Sequence, residues 1–99
     1  MKNISQQEWE DQLSKENDVI VLDVRTPMEY AMGSLPNAVN LDVFETENFL
    51  AEADKLDRSK NLYVYCRSGA RSANACRLLE DLGFENVHNL LGGIMAWQN

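Results

Sequence analysis

The sequence predicts an α/β domain: a mainly parallel central sheet with helices on both faces. Three observations carry that expectation. Val19–Val24 and Leu62–Tyr65 are nearly continuous runs of β-branched, aliphatic and aromatic residues, the pattern of strands buried on both faces. Segments with helical caps and periodicity alternate with these runs, which implies parallel strands joined by helices. Finally, the 99 residues are 44% hydrophobic and 25% charged, the size and composition of one globular domain spanning residues 1–99.

The elements follow in order. Ser5 and Glu8 form an S-x-x-E capping box, with Ile4 and Trp9 at the hydrophobic-staple positions, so a helix is expected from about Gln6 to Leu13. Val19–Val24 is the first strand. Thr26-Pro27-Met28-Glu29 is a second capping box with proline in the first turn, opening a short helix that should stop at Gly33. Val39–Leu41 is a brief strand. Glu47–Leu56 is a helix with Phe49, Leu50, Ala53 and Leu56 on one face. After a turn at Asp57–Asn61 comes the strand Leu62–Tyr65. A helix then runs to about Leu82, where Gly83 suits the C′ position. Asn86–Leu90 is the last strand, and Ile94–Trp97 a short terminal helix.

Charge and cysteine usage narrow the chemistry. The net charge is −7, a field that repels phosphates and argues against nucleic-acid or anionic-membrane partners. No apolar run approaches the roughly 20 residues of a membrane helix, and the N-terminus lacks the apolar core of a signal peptide. A cytoplasmic protein is therefore expected, monomeric at this size. Cys66 and Cys76 are the only cysteines, with one histidine and no CxxC pair, so neither a zinc site nor, in a reducing cytosol, a structural disulfide is expected. What remains for a cysteine is nucleophilic chemistry.

Cys66 has the setting for it. A strand delivers it to the sheet edge, where parallel sheets bind ligands, and the chain must then turn into a helix. Gly69 permits the turn, while small Ser68 and Ala70 leave backbone N–H groups accessible. Those groups and the helix N-terminus form an anion cradle that should lower the thiol pKa. Arg67 and Arg71 add positive charge and a fork for an oxyanion, and Arg67, Arg71 and Arg77 lie within eleven acid-free residues. Other conspicuous residues read as structural. Cys76 lies one and a half turns into the helix and packs rather than resolves a disulfide. His88 is a solvent-facing or hydrogen-bonded strand residue. Trp9 and Trp97 belong to the core or the staple.

Four segments carry a family likeness. Asp23-Val24-Arg25 with Glu29-Tyr30 and Gly33, Leu35-Pro36-Asn37-Ala38-Val39-Asn40, Cys66-Arg67-Ser68-Gly69-Ala70-Arg71-Ser72 and Leu91-Gly92-Gly93-Ile94-Met95-Ala96-Trp97 stand in this order. In them the chain resembles rhodanese-like domains over essentially its whole length. The resemblance implies a three-layer sandwich and a thiosulfate sulfurtransferase-like enzyme. Cys66 would alternate between thiolate and persulfide. Arg67, Ser68, Gly69, Ala70, Arg71 and Ser72 would form the substrate loop, chiefly through backbone N–H groups. Asp23 and Arg25 would brace the site, and Gly92 and Gly93 would permit close packing. No metal or organic cofactor is implied. The expected partners are a small anionic sulfur donor and a thiol or protein acceptor. Two positions depart from the family pattern: Ser34 stands where histidine is frequent, and Asn37 where glycine is usual, although asparagine tolerates a left-handed backbone.

Two other functions compete with sulfur transfer. A cysteine phosphatase also cradles an anion before a helix, but its signature is Cys-x5-Arg, and here Cys66 to Arg71 is Cys-x4-Arg, with Ser72 at the next position. The other rival is a non-catalytic or sulfur-relay binding module. Silent rhodanese-like modules commonly lack the cysteine that this chain keeps.

Overall fold

The computed structural model describes residues 1–99. In chain order the elements are β1 (Lys2–Ile4), α1 (Gln6–Lys15), β2 (Val19–Asp23), α2 (Pro27–Ala31), β3 (Ala38–Asn40), α3 (Thr46–Asp54), β4 (Asn61–Tyr65), α4 (Ala70–Asp81), β5 (Val87–Leu90) and a 3-10 turn at Ile94–Ala96. The five strands form one wholly parallel sheet in the order β1-β5-β4-β2-β3.

Alternation along the strands sorts the core into two layers. From β4 and the residue after it, Leu62, Val64 and Cys66 pack on one face with Phe49 and Ala53 of α3 and Ala75, Cys76 and Leu79 of α4. Tyr63 and Tyr65 point to the other face, where they meet Trp9 of α1, Leu35 and Ile4. Trp9 sets its ring edge-on to Tyr63 and Tyr65 at centroid distances of 5.3 and 6.1 Å. Such aromatic contacts add about 0.5–1.5 kcal/mol each beyond the area they bury. Helices therefore cover both faces, as expected.

Both capping boxes form. Ser5 Oγ accepts from the Glu8 N–H, and Thr26 Oγ1 from that of Glu29, with each glutamate reaching back to the cap backbone. Asn37 adopts the left-handed conformation its position requires, at φ 63°.

Elsewhere the structure amends the expectations. β1 was not foreseen, because three residues carry no readable period. It forms because β5 offers an open edge, where Ile4 pairs with Leu90. Ile4 still packs in the same layer as Trp9, so the staple residue is also a strand residue. α1 runs two residues further than expected, and its cap N–H, from Glu16, bonds the Gln12 carbonyl. α2 ends at Ala31, ahead of Gly33. The terminal helix is a three-residue 3-10 turn. Of the two alternatives for His88, the hydrogen-bonded strand residue holds, and it is buried: its Nδ1 lies 3.1 Å from the Leu62 carbonyl oxygen, and its ring stacks on Tyr63 at 4.4 Å.

The strand order fixes where a site can form. From β2 the chain moves to β3 on one side, and from β4 it moves to β5 on the other. The connections diverge between β2 and β4, opening a crevice at their carboxyl ends. The residues that follow those two strands, Val24-Arg25 and Cys66-Arg67, meet there.

Candidate active site

Cys66 leaves β4 and is 1% exposed. Its sulfur is cradled by the turn that follows. The Gly69 N–H donates to Sγ at 3.1 Å, and the Ser72 hydroxyl reaches it at 3.3 Å. Gly69 is the N-cap of α4, at φ 111°, and supplies no side-chain cap. The first-turn donors of α4 therefore have no competing side-chain acceptor, and the positive end of the helix faces the sulfur. Burial by itself pushes the Cys66 thiol up. The Ser72 hydroxyl and the backbone N–H groups of Ser72, Gly69 and Ser68 outweigh it and hold the thiol below its ordinary value. Cys76 shows the contrast. It is fully buried in α4, and burial raises its thiol to about 12.

One hydroxyl proton at Ser72 has two acceptors in reach, Sγ and the Gly69 carbonyl at 3.1 Å. Charge on the sulfur favours the first. Ser72→Ala is expected to raise the pH midpoint for alkylation of Cys66 by iodoacetamide and to lower turnover at neutral pH about tenfold. An unmoved midpoint would remove Ser72 from the set of groups stabilising the thiolate.

The loop is held from behind. The Cys66 carbonyl accepts from the Ile94 N–H at 3.0 Å and the Arg67 carbonyl from the Met95 N–H at 2.9 Å. Gly93 lies against this junction at φ 61°, and a Cβ there would stand 2.3 Å from the Arg67 carbonyl oxygen. No side chain fits. The close packing expected of Gly93 is thus a direct contact with the backbone of the cysteine loop.

The two loop arginines differ. Arg67 is exposed and makes no ion pair. Arg71, expected as a fork for an oxyanion, gives that fork to Glu29: Nη1 and Nη2 donate to its two oxygens at 2.8 and 2.9 Å. Its guanidinium also lies 5.1 Å from the centre of the Phe44 ring. Glu29 already accepts from the Thr26 backbone and hydroxyl as the second half of the α2 capping box, so one carboxylate joins the start of α2 to the start of α4.

Hydrogen bonds from Arg71, followed by those from Thr26, draw Glu29 down from 4.5 to about 2. A depressed carboxylate stabilises the fold above its unfolded pKa and loses that contribution as pH falls through the folded one. The stability gap between the protein and Glu29→Gln should therefore be constant above pH 4.5 and shrink from there toward pH 2. Urea titrations at several pH values check this, and a gap independent of pH would overturn it.

Asp23 and Arg25 pair on the β2 side, both buried. Arg25 Nε donates to Asp23 Oδ1 at 2.9 Å and Nη2 to Oδ2 at 2.6 Å. Nη2 also donates to the Gly33 carbonyl at 2.7 Å. The hydrogen bond to Asp23, working against burial, raises the Arg25 pKa still further. Sequence reasoning missed Tyr65 and Asn40 here. The Tyr65 hydroxyl donates to Asp23 Oδ2 at 2.7 Å and accepts from the Leu35 N–H at 3.0 Å. Asn40 Nδ2 donates to the carbonyls of Asp23 and Arg25 at 3.0 and 2.9 Å. Only the position of Tyr65, one residue before Cys66 and on the opposite face, hinted at its role.

Comparison with known proteins bears on the family and the fold. A model of the rhodanese-like domain matches residues 5–99. The chain belongs to that family. It is 37% identical over 97 residues to a protein of Allochromatium vinosum named sulfurtransferase, covering 98% of this chain and 88% of that one. A solved rhodanese-like domain protein from Staphylococcus aureus superposes with a TM-score of 0.83 at 32% identity, over 100% of this chain and 93% of the other. The rhodanese-like chain is also 37% identical over 95 residues to a tRNA uridine(34) hydroxylase of Pelagibacter ubique, covering 96% of this chain but 31% of that protein. No helix is long and apolar enough to cross a membrane.

Proposed function

We propose that this rhodanese-like domain is a sulfurtransferase that carries sulfane sulfur as a persulfide on Cys66. The observation that carries the reading is the Cys66 Sγ held by the Gly69 N–H and the Ser72 hydroxyl at the start of α4. Such a cradle favours an anionic sulfur and accommodates its charge in either form, thiolate or persulfide.

The reaction has two steps. The Cys66 thiolate attacks the sulfane sulfur of a small anionic donor such as thiosulfate or a low-molecular-weight persulfide. An S–S bond to Cys66 forms, the donor's bond to that sulfur breaks, and sulfite or a thiolate leaves with the electron pair. A thiophilic acceptor (cyanide in an assay, a thiol or a protein cysteine otherwise) then attacks the outer sulfur, and Cys66 departs as the thiolate. Charge balances in both steps, and neither needs a metal or organic cofactor. Arg67 adds a cation at the mouth of the loop, where it can meet the incoming anion. Arg71 acts through its charge and by anchoring the loop to Glu29. The six-residue span from Cys66 to Arg71, and an arginine already engaged by Glu29, favour sulfur over phosphate. We place the protein in a reducing compartment, the cytoplasm, as a monomer.

Intact-mass and peptide mapping after thiosulfate treatment test the reading. A gain of about 32 Da on Cys66 is expected. Failure of the adduct to form with thiosulfate and with glutathione persulfide, or its formation on Cys76 instead, would overturn it.

A further inference from the structure

We infer that the rim around Cys66 is a docking surface for a protein sulfur acceptor, one presenting its cysteine on an apolar segment with a carboxylate beside the thiol. The inference rests on the reading of Cys66 as a sulfur carrier and names the acceptor class.

Seven large apolar side chains are exposed: Met1, Met28, Met32, Val39, Phe44, Leu91 and Met95. They are not spread evenly. Met28 and Met32 lie in and just after the helix that follows β2, Phe44 follows β3, and Leu91 and Met95 follow β5. Parallel strands place all five at the sheet edge where Cys66 follows β4. Met32 and Met95 wall an opening of about 290 Å³ together with Arg67 and Glu29, and Phe44 sits against Arg71 at 5.1 Å. Met32 and Met95 thus flank Arg67 of the cysteine loop, and Phe44 flanks its Arg71.

Clustered exposed apolar groups mark interaction surfaces. Methionine, flexible and polarisable, suits a surface that must fit a partner. A small anionic donor or cyanide gains nothing from such a rim, since its charge is met by the backbone cradle. A protein segment would bury it. The charges at the mouth specify the segment further. Arg25 is paired with Asp23 and Arg71 with Glu29. Arg67, exposed and outside every ion pair, is left as the one free cation among apolar side chains. A carboxylate next to the acceptor cysteine complements it.

In the transfer, the acceptor thiolate attacks the outer sulfur of the Cys66 persulfide. The new S–S bond forms as the bond to Sγ breaks, and the electron pair returns to Sγ, where Gly69 and Ser72 hold it. One thiolate and one persulfide enter and one of each leaves, so no oxidant or reductant is consumed.

The test uses protein loaded with thiosulfate and, in parallel, with glutathione persulfide. Excess donor is removed and discharge is followed to three probes: a capped Leu-Glu-Cys-Leu peptide, a capped Ser-Lys-Cys-Ser peptide and cyanide. Peptide rates are normalised to thiolate concentration. The apolar, acidic peptide is expected to accept sulfur about tenfold faster than the polar, basic one. The double variant M28S/M32S and the single variant M32S should lose most of that margin while discharging to cyanide at the unaltered rate. Equal rates for the two peptides, or a margin that survives in the variants, would overturn the docking surface and leave sulfur transfer standing. Failure of Cys66 to load from either donor would overturn both.

Discussion

Replacing Cys66 with serine is expected to abolish thiosulfate-to-cyanide sulfur transfer and leave the domain folded. The loss should be about 10³-fold or more, down to the rate without protein. The cradle would remain, but a serine hydroxyl keeps its proton near neutral pH and gives no persulfide. Ser fills nearly the same volume as Cys at this site, so the melting temperature should move little. Cys76→Ala supplies the control. Cys76 is fully buried in α4, with its thiol pushed up to about 12, so its loss should cost packing free energy of about 1 kcal/mol and leave transfer nearly intact. Turnover and intact mass measured on both variants decide the matter. Activity that persists in Cys66→Ser and disappears when Cys66→Ser is combined with Cys76→Ala would transfer the sulfur-carrying role to Cys76.

The second large effect concerns stability. Asp23→Ala removes the carboxylate that receives Arg25 Nε and Nη2 and the Tyr65 hydroxyl. Arg25 would be left buried without its counter-charge, and Tyr65 without its acceptor. Breaking a buried pair from one side costs about 3–5 kcal/mol. That is a large share of the 5–15 kcal/mol typical of a whole domain. For a chain of this size it corresponds to a fall of about 15–25 °C in Tm. Removing both charges should hurt less: Asp23→Ala combined with Arg25→Met leaves no buried ion, and part of the loss should return. Thermal melts of the two singles and the double form a cycle that isolates the pair. A single substitution at Asp23 costing under about 1 kcal/mol would show that the pair does not brace the site. Sulfur transfer should fall with it, because Tyr65 adjoins Cys66 in the chain and ties β4 to the loop at Leu35.

Much of this protein was legible locally. Capping boxes depend on residues three apart, so Ser5 with Glu8 and Thr26 with Glu29 announced α1 and α2. The β-branched and aromatic character of Val19–Val24 and Leu62–Tyr65 marked the two central strands, since only strands covered on both faces tolerate such runs. The order strand, Cys66, Gly69, helix was enough to expect a cradled, low-pKa thiol, for a turn into a helix brings its free N–H groups to whatever ends the strand. At Asn37, where the family pattern has glycine, the residue type was compatible with the left-handed backbone that the fold adopts there.

Where the sequence fell short, the partners were far apart in the chain. Glu29 and Arg71 are separated by 42 positions, and nothing local says that a capping carboxylate has a second oxygen facing another loop. Folding decides it by setting β2 beside β4, which brings the helices that follow them to one edge. The same adjacency presents Tyr65 to Asp23. β1 exists only because β5 has an edge to offer, and its three residues have no periodicity of their own. Gly93 was expected to allow close packing, but that it lies against the carbonyls of Cys66 and Arg67 follows from the path of the chain beyond β5. Sequence by itself thus determined the two central strands, the capped helices and the setting of Cys66 between a strand and a helix, which are properties of contiguous residues. Tertiary structure alone decided which loop arginine stays unpaired, which carboxylate is shared and which apolar side chains stand beside Arg67 and Arg71, because the parallel sheet order sets those distances.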